Sequence, residues 1–209
     1  GFNRYRLSKC SPPSSPATGG LYCGEGHHWR RCLLAIKPSK LAVFISGGGS
    51  NLQAIIDRSQ QDDFPGEIAV VISNRRDAYG LERARKANIP AVWVSHRKKD
   101  RQAFEQELIT VLGDHQVDWV ALAGFMRVLT PHFLSAFPNR VLNIHPSLLP
   151  AFPGMHAQQQ AWEYGVKIAG ATVHVVDTGT DTGPIIIQKT VPVYPEDDKE
   201  ALQSRILAV

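Results

Sequence analysis

The fold is decided by the segment LAVFISGGGSNLQAII, which occupies residues 41–56. Its first five residues are apolar without interruption, which is typical of a strand buried on both faces. Three glycines follow, and then Ser50 and Gln53 stand at the spacing of a capping box, with Ser50 as the N-cap. The apolar positions beyond the glycines have helical spacing: Leu52, Ile55 and Ile56. The segment therefore predicts a strand, a glycine loop and a helix.

The alternation of strand and helix continues along the chain. Four further apolar runs are predicted strands: 69–72, 91–94, 117–122 and 140–145. Apolar spacing predicts helices at three places: 81–87, 104–112 and 131–136. Asp100 can cap the second of these helices. After Gly165 the pattern changes to two strands, 170–176 and 184–193, and a helix over 200–207. This order predicts an α/β fold: a Rossmann-like, doubly wound, mostly parallel sheet with a β-rich C-terminal portion.

The positive charge of the chain is confined to its first part. The chain has 209 residues and a formal net charge of +4. Residues 1–40 contain seven basic groups and one acidic group, so residues 41–209 carry a net charge of −2. A nucleic-acid-binding domain would carry its basic patch on the folded part. We therefore expect no nucleic-acid partner.

The sequence also has no feature of a secreted or membrane protein. No apolar run approaches the ~20 residues that a membrane helix requires, and no secretory signal is visible. All three cysteines, Cys10, Cys23 and Cys32, lie in residues 1–40, at spacings unlike those of a zinc site. We therefore expect a cytoplasmic protein without a metal or a membrane partner.

Residues 1–40 differ in composition from the rest of the chain. Of these 40 residues, 14 are Gly, Pro or Ser, and neither helical nor strand periodicity is present. We interpret this leader as disordered or as a non-native segment, and the sequence does not separate the two. The folded domain is expected to comprise residues 41–209.

The glycine loop, residues 47–49, is the first candidate site. It joins a predicted strand to a helix N-terminus, where free backbone N–H groups attract a phosphate. A dinucleotide fingerprint would require a third glycine where Leu52 stands, and the lysine of a P-loop is missing. The loop therefore indicates a mononucleotide-type phosphate, although a tight turn with a serine cap would have the same sequence.

The second candidate site lies at Asn143 and His145, at the end of a predicted central strand. Their spacing of two residues places both side chains on one face, and Pro146 ends the strand beyond them. Ligands bind at this edge of open α/β sheets. An amide donor beside an imidazole could stabilise a developing oxyanion, although a histidine in this position can also be structural.

A polar loop within residues 173–184 adds His174 and two carboxylates, Asp177 and Asp181. A carboxylate beside His145 would orient its ring and favour the charged form. The residues alone do not choose between Asp177 and Asp181. A surface loop with Asx turns would also fit this pattern.

Four motifs resemble those of the folate-dependent formyltransferases. They are SGGGSNLQAII at 46–56, AGFMRVL at 123–129, NIHPSLLP at 143–150 and DTGPII at 181–186. The third motif is specific to this family. The glycine loop and LERA at 81–84 are similar to the phosphoribosylglycinamide formyltransferase branch. The resemblance covers residues 41–209 in unbroken order, and the leader matches nothing in the family.

The resemblance implies a transferase with two small-molecule substrates. It would move a formyl group from the cosubstrate 10-formyltetrahydrofolate to the amine of glycinamide ribonucleotide, in de novo purine biosynthesis. The implied catalytic residues are Asn143, His145 and Asp181, which stabilise an oxyanion and move protons without a metal. His174 is implied as a partner of Asp181.

The resemblance also implies where each substrate binds. The phosphate of the ribonucleotide is expected on three residues of the loop and helix start: Gly49, Ser50 and Asn51. Five residues are expected to bind the folate: Arg101, Met126, Arg127, Val128 and Asn143. Of these, Arg101 is expected to lie beside the substrate and Arg127 near the pteridine end.

Three alternatives use the same fold. A formyltetrahydrofolate deformylase would release formate with the same three catalytic residues, but it typically has a regulatory domain for which the leader is too short. A non-catalytic nucleotide-binding module would not need an intact set of Asn143, His145 and Asp181. A methionyl-tRNA formyltransferase would bind tRNA, which a domain with a net charge of −2 suits poorly.

The end of the chain carries a further expectation. In the resembling family the C-terminal helix continues beyond the position of Val209, into an acidic residue near the substrate amine. Here the sequence stops at Val209 without a helix C-cap. We therefore expect a domain truncated at its C-terminus, which binds the ribonucleotide more weakly than the folate.

Overall fold

The computed structural model describes residues 38–209, which form a seven-stranded sheet with helices packed against it. Within this range, no helix combines the length and the apolar character needed to cross a membrane. The first strand begins at Ser39, slightly before the predicted start of the domain. The leader predicted as disordered or non-native comprises residues 1–40: residues 1–37 lie outside the described residues, and Ser39 and Lys40 belong to β1.

The sheet has the strand order β3-β2-β1-β4-β5-β6-β7. The strands are β1 Ser39–Ile45, β2 Gly66–Ser73, β3 Ala91–Trp93, β4 Trp119–Leu122, β5 Val141–His145, β6 Ile168–Val175 and β7 Ile185–Pro192. The first five are parallel, whereas β6 is antiparallel to β5 and β7 is antiparallel to β6. The predicted mostly parallel, doubly wound sheet with a β-rich C-terminal portion is confirmed.

Six helices are present in the described part of the chain. They are α1 Ser50–Ser59, α2 Tyr79–Lys86, α3 Arg101–Asp114, α4 Pro131–Ala136, α5 Ala157–Tyr164 and α6 Lys199–Leu207. Asp100 caps α3 as predicted, since its carboxylate accepts a hydrogen bond from the Ala103 N–H. α5 was not predicted, because its buried residues are two alanines, Ala157 and Ala161, which give no strong apolar stripe.

The capping box predicted at Ser50 is wrong. Ser50 is the first residue of α1, and Gly49 occupies the N-cap with a left-handed φ of 72° and no side-chain cap. Glycine suits this position because it lacks a Cβ, which would lie 2.8 Å from Gly80 Cα. Glycine has no side chain to cap the first N–H groups of α1, and within residues 38–209 no other side chain bonds to them. These N–H groups are therefore available to a ligand.

The strand β1, the third in the sheet, separates two halves of the hydrophobic core. Phe44 packs in one cluster with Phe104 of α3, whereas Ile45 packs in the other with Leu52 of α1. All four side chains are buried, and each burial stabilises the fold by about 1.5–3 kcal/mol. Both faces of β1 are therefore covered, which explains the uninterrupted apolar run at its centre.

The strand order brings three functional segments to one edge of the sheet. The glycine loop follows β1, residues 124–130 follow β4 as an irregular segment (the 124–130 loop), and His145 ends β5. β1 and β4 are neighbours at the point where the strand order changes direction. Ligands of open α/β sheets bind at this crevice, so these three segments are candidates for a ligand-binding site.

Candidate active site

Four polar side chains meet at the end of β5: Asn143, His145, His174 and Asp181. Asn143 and His145 lie in β5, and His174 is the register partner of Asn143 on β6. Asp181 lies in the loop between β6 and β7. Both histidines are buried. The sheet thus assembles side chains that are far apart in sequence.

Asp181 is the centre of this cluster. Its Oδ2 lies 3.3 Å from His145 Nδ1 and accepts a 2.8 Å hydrogen bond from the Gly154 N–H. Its Oδ1 lies 3.5 Å from His174 Nε2 and 3.4 Å from Asn143 Nδ2. The backbone of Asp181 has a left-handed φ of 55°, a conformation in which aspartate is enriched among residues with a side chain. One carboxylate therefore contacts both imidazoles.

Asp177, the other carboxylate of this loop, faces its own turn. Its Oδ1 accepts hydrogen bonds from the Gly179 N–H at 3.1 Å and from the Thr182 hydroxyl at 2.8 Å. This is the pattern of an Asx turn, in which the side chain binds the backbone two residues later. The structure therefore brings Asp181, and not Asp177, to His145.

The two ring nitrogens of His145 have different partners. Its Nε2–H donates to the Phe152 carbonyl oxygen at 2.9 Å, while its Nδ1 faces the Asp181 carboxylate. Both ring nitrogens thus face acceptor oxygens, the Phe152 carbonyl and the Asp181 carboxylate. The ring is held rigidly between a strand end and the following loop.

Asn143 and His174 complete the cluster with complementary hydrogen bonds. The Nδ1–H of His174 donates to the Val175 carbonyl oxygen at 3.0 Å. Its Nε2 can then accept a hydrogen from Asn143 Nδ2 at 3.2 Å. The second hydrogen of Nδ2 points to Asp181 across the longer distance of 3.4 Å. The Asn143 amide is thus fixed in orientation and keeps one weakly bound hydrogen.

The glycine loop is held by α2 and open on its other side. The Gly80 N–H donates to the Gly47 carbonyl at 3.1 Å, and Arg83 Nε–H donates to the Gly48 carbonyl at 2.8 Å. Nothing lies within 4 Å of a Cβ added at Gly47 or Gly48. The loop therefore leaves room for a ligand beside the start of α1. The predicted phosphate-binding residues stand at this point: Gly49, Ser50 and Asn51.

The 124–130 loop presents apolar side chains to the same edge of the sheet. Met126 is 70% exposed and Val128 is 63% exposed. The Arg127 guanidinium lies over the Phe104 ring at 5.4 Å, within the range of a cation–π interaction. Arg101 is the exposed first residue of α3, and within residues 38–209 it forms no hydrogen bond or ion pair with the Asp181 cluster.

Several polar groups of this region were missed by sequence reasoning. Ser46 and Asn74 are buried and joined by a 2.7 Å hydrogen bond, although 28 positions separate them. Glu105 is buried on α3, and the Gly154 N–H binds Asp181. No local pattern marks these residues, because their partners come from distant parts of the chain.

A cavity of about 240 Å³ opens beside Asp181, lined among others by Leu149, Pro153, Thr182 and Ile185. Its wall is mostly apolar but includes Asp181 of the polar cluster. Such a cavity suits an organic ligand with a polar reacting group. In the described part of the chain, no group of three or more His, Cys, Asp or Glu side chains is arranged to hold a metal ion.

Sequence comparison relates the chain to known enzymes. The family described as Formyl transferase matches residues 39–209. The phosphoribosylglycinamide formyltransferase of Escherichia coli is 45% identical over 167 residues, which cover 79% of this chain and 79% of that protein. The trifunctional purine biosynthetic protein adenosine-3 of Drosophila melanogaster is 46% identical over 177 residues. That match covers 83% of this chain but 13% of the fly protein, so the chain spans a small part of this relative's length.

Solved structures show the same relationship. The glycinamide ribonucleotide transformylase 1 of Symbiobacterium toebii aligns with a TM-score of 0.80 and 54% identity, over 82% of this chain and 81% of that one. The phosphoribosylglycinamide formyltransferase of Anaplasma phagocytophilum aligns with a TM-score of 0.77 and 45% identity, over 82% and 80%. The resemblance inferred from the motifs is confirmed: the chain belongs to the formyl transferase family.

Proposed function

We propose that this chain transfers a formyl group from 10-formyltetrahydrofolate to the amine of glycinamide ribonucleotide, a step of de novo purine biosynthesis. The observation that carries the proposal is the contact between Asn143, His145 and Asp181 at the carboxyl edge of the sheet. Two open loops flank this edge, as a reaction between two substrates requires. The family and the names of its members support the same reaction.

The chemistry requires donors for a developing negative charge. When the amine attacks the formyl carbon, the carbonyl oxygen becomes an oxyanion in a tetrahedral intermediate. Asn143 Nδ2 supplies one donor, since its 3.4 Å contact with Asp181 is long enough to be exchanged for a substrate oxygen. The removal of one such donor typically slows the reaction by a factor of ~10²–10³.

His145 and Asp181 are assigned to the second requirement of the reaction, which is that the attacking amine loses a proton. A protonated His145 favours the oxyanion, and the Asp181 carboxylate balances its positive charge at 3.3 Å. The Nε2–H of His145 donates to the Phe152 carbonyl oxygen. His145 must therefore give up this hydrogen bond before the same N–H can donate to the substrate. The proton lost by the amine passes through water to the Asp181 carboxylate. The tetrahedral intermediate then collapses by breaking the bond between the formyl carbon and N10 of the folate, and a proton returned through water to N10 lets tetrahydrofolate leave.

The two loops are assigned to the two substrates. The phosphate of the ribonucleotide binds the backbone N–H groups of Gly49, Ser50 and Asn51 at the start of α1, where the N-cap is a glycine without a side-chain cap. His174 supports the cluster from β6, because its Nε2 accepts a hydrogen bond from Asn143 Nδ2 and so orients the amide beside Asp181. The folate binds beside the 124–130 loop, against five residues: Arg101, Met126, Arg127, Val128 and Asn143.

The reaction as proposed needs two small molecules and neither a metal nor a covalent nucleophile. We place it in the cytoplasm, because residues 41–209 contain no cysteine and so depend on no disulfide.

A deformylase would use the same cluster, but the open glycine loop favours transfer, since hydrolysis of a formyl folate needs no phosphate site. A nucleotide-binding module alone would not require a carboxylate between two buried imidazoles.

Product analysis tests this proposal. The protein is incubated with 10-formyltetrahydrofolate in the presence and absence of glycinamide ribonucleotide, and tetrahydrofolate, formate and the formylated ribonucleotide are quantified. We expect tetrahydrofolate to form in step with the formylated ribonucleotide and to depend on the acceptor. Formate release without the acceptor would show a deformylase. Binding of the ribonucleotide without any turnover would show a nucleotide-binding module.

A further inference from the structure

The 124–130 loop is held at both of its ends by buried polar side chains that lie outside it. Its middle is open, as the exposure of Met126 and Val128 shows. Its first part contacts Ser46, the residue that joins β1 to the glycine loop, and its last residue contacts Glu105 of α3. These contacts distinguish the loop from an ordinary surface connection.

At the start of the loop, both the N–H and the hydroxyl of Ser46 form hydrogen bonds with the loop backbone. The Ser46 N–H donates to the Gly124 carbonyl at 3.1 Å, and the Met126 N–H donates to Ser46 Oγ at 2.8 Å. The Ser46 hydroxyl in turn donates to Asn74 Oδ1 at 2.7 Å. Asn74 lies just beyond β2 and meets the His96 ring, whose Nδ1 is 3.2 Å from the Asn74 carbonyl oxygen. The hydroxyl therefore links the loop to the body of the sheet.

At the end of the loop, the Glu105 carboxylate receives two donors from one residue. The Thr130 N–H donates to Glu105 Oε1 at 2.7 Å, and the Thr130 hydroxyl donates to Oε2. Glu105 is 1% exposed, so this carboxylate would be strongly disfavoured without these donors. The ring of Phe104, the preceding residue on α3, forms a cation–π contact with the Arg127 guanidinium. α3 thus fixes the second half of the loop.

We propose that Ser46 and Glu105 are positioning residues that hold the 124–130 loop in the conformation that binds the folate cosubstrate. This inference rests on the proposed function and deepens it. Ser46 also directly precedes the glycine loop, so its hydrogen bonds set the distance between the folate side and the phosphate side of the site. The two subsites are thereby aligned before either substrate binds, and the protein loses less conformational freedom on binding.

Ser46→Ala is the main test, with Ser73→Ala as a matched control. Ser73 is equally buried at the end of the neighbouring strand β2, but its hydroxyl bonds with the backbone of Arg75 nearby. Glu105→Leu tests the other end of the loop with an apolar residue of similar size. Three quantities are measured on the full chain: amide hydrogen exchange of residues 124–130, and calorimetric dissociation constants for tetrahydrofolate and for glycinamide ribonucleotide.

In Ser46→Ala and Glu105→Leu we expect faster exchange in the 124–130 loop. We also expect tetrahydrofolate to bind about tenfold more weakly, which corresponds to about 1.4 kcal/mol. Ribonucleotide binding stays near that of the parent, because the hydroxyl and the carboxylate do not contact the open face of the glycine loop. Ser73→Ala matches the parent in all three measurements.

The outcomes separate this inference from the proposed function. If the parent binds tetrahydrofolate and both test variants bind it equally well with unchanged loop exchange, the positioning role is overturned. Equal losses for both ligands would also overturn it, because they indicate general destabilisation. A parent that binds neither ligand overturns the proposed function itself, and the assignment of the loop to folate with it.

Discussion

Replacement of Asp181 by Asn removes the charge at the centre of the cluster and keeps the shape of the side chain. The carboxylate is 12% exposed and lies 3.3 Å from His145 Nδ1 and 3.5 Å from His174 Nε2. A hydrogen bond to a charged group contributes about 1.5–3 kcal/mol. If the contact with His145 is expressed fully in the transition state, kcat falls roughly ten- to hundredfold, since each 1.36 kcal/mol corresponds to about a factor of ten. We therefore expect Asp181→Asn to lose most of its activity.

The assay is steady-state formyl transfer with both substrates varied, and Asp177→Asn is the matched control. Asp177 lies in the same loop and also accepts two hydrogen bonds, but it faces its own turn. The control should therefore retain the kcat of the parent. Thermal unfolding of both variants shows whether the fold is intact. A folded Asp181→Asn with the parent's kcat, or an equal loss in Asp177→Asn, would refute the role of Asp181.

Three further outcomes follow from the geometry. Gly49→Ala should lower the unfolding free energy by about 1–3 kcal/mol and weaken ribonucleotide binding, because alanine is strained at a φ of 72° and its Cβ would lie 2.8 Å from Gly80 Cα. An unchanged denaturant midpoint would contradict this. Hydrogen bonds from Arg205 lower the pKa of Asp197 to about 2, against an ordinary value of about 3.9. The pair therefore stabilises the fold above about pH 4 and loses this contribution as the pH falls through about 2, so denaturant unfolding should show the deficit of Asp197→Asn shrinking over that interval. A deficit independent of pH would disprove the ionic origin. A chain of residues 38–209 should unfold at the temperature of the full chain, and a calorimetric drop of more than about 5 °C would show that the leader packs on the domain.

Much of the fold could be predicted because its signals are local. The run at residues 41–45 is apolar throughout because both faces of β1 are covered, and this shows directly in the sequence. The two-residue spacing of Asn143 and His145 correctly places both in β5. α5 lacked such a signal, because helix packing there rests on two alanines.

The rest depends on tertiary contacts that no short window contains. Ser50 has the sequence of a cap, yet Gly49 takes that position because its backbone passes close to Gly80 of α2. Asp177 and Asp181 are equivalent as residue types, and the turn of the loop alone decides which one reaches His145. Contacts of this kind are set by the backbone path between distant segments.

The central claim is that the cluster at the end of β5 stabilises an oxyanion, and Asn143→Ala tests it most directly. The single-turnover rate of formyl transfer is measured at saturating 10-formyltetrahydrofolate and glycinamide ribonucleotide, together with the dissociation constant of each substrate. The account predicts a rate that is ~10²–10³-fold lower than that of the parent, with dissociation constants that change far less. A folded variant that transfers the formyl group at the parent's rate would contradict it.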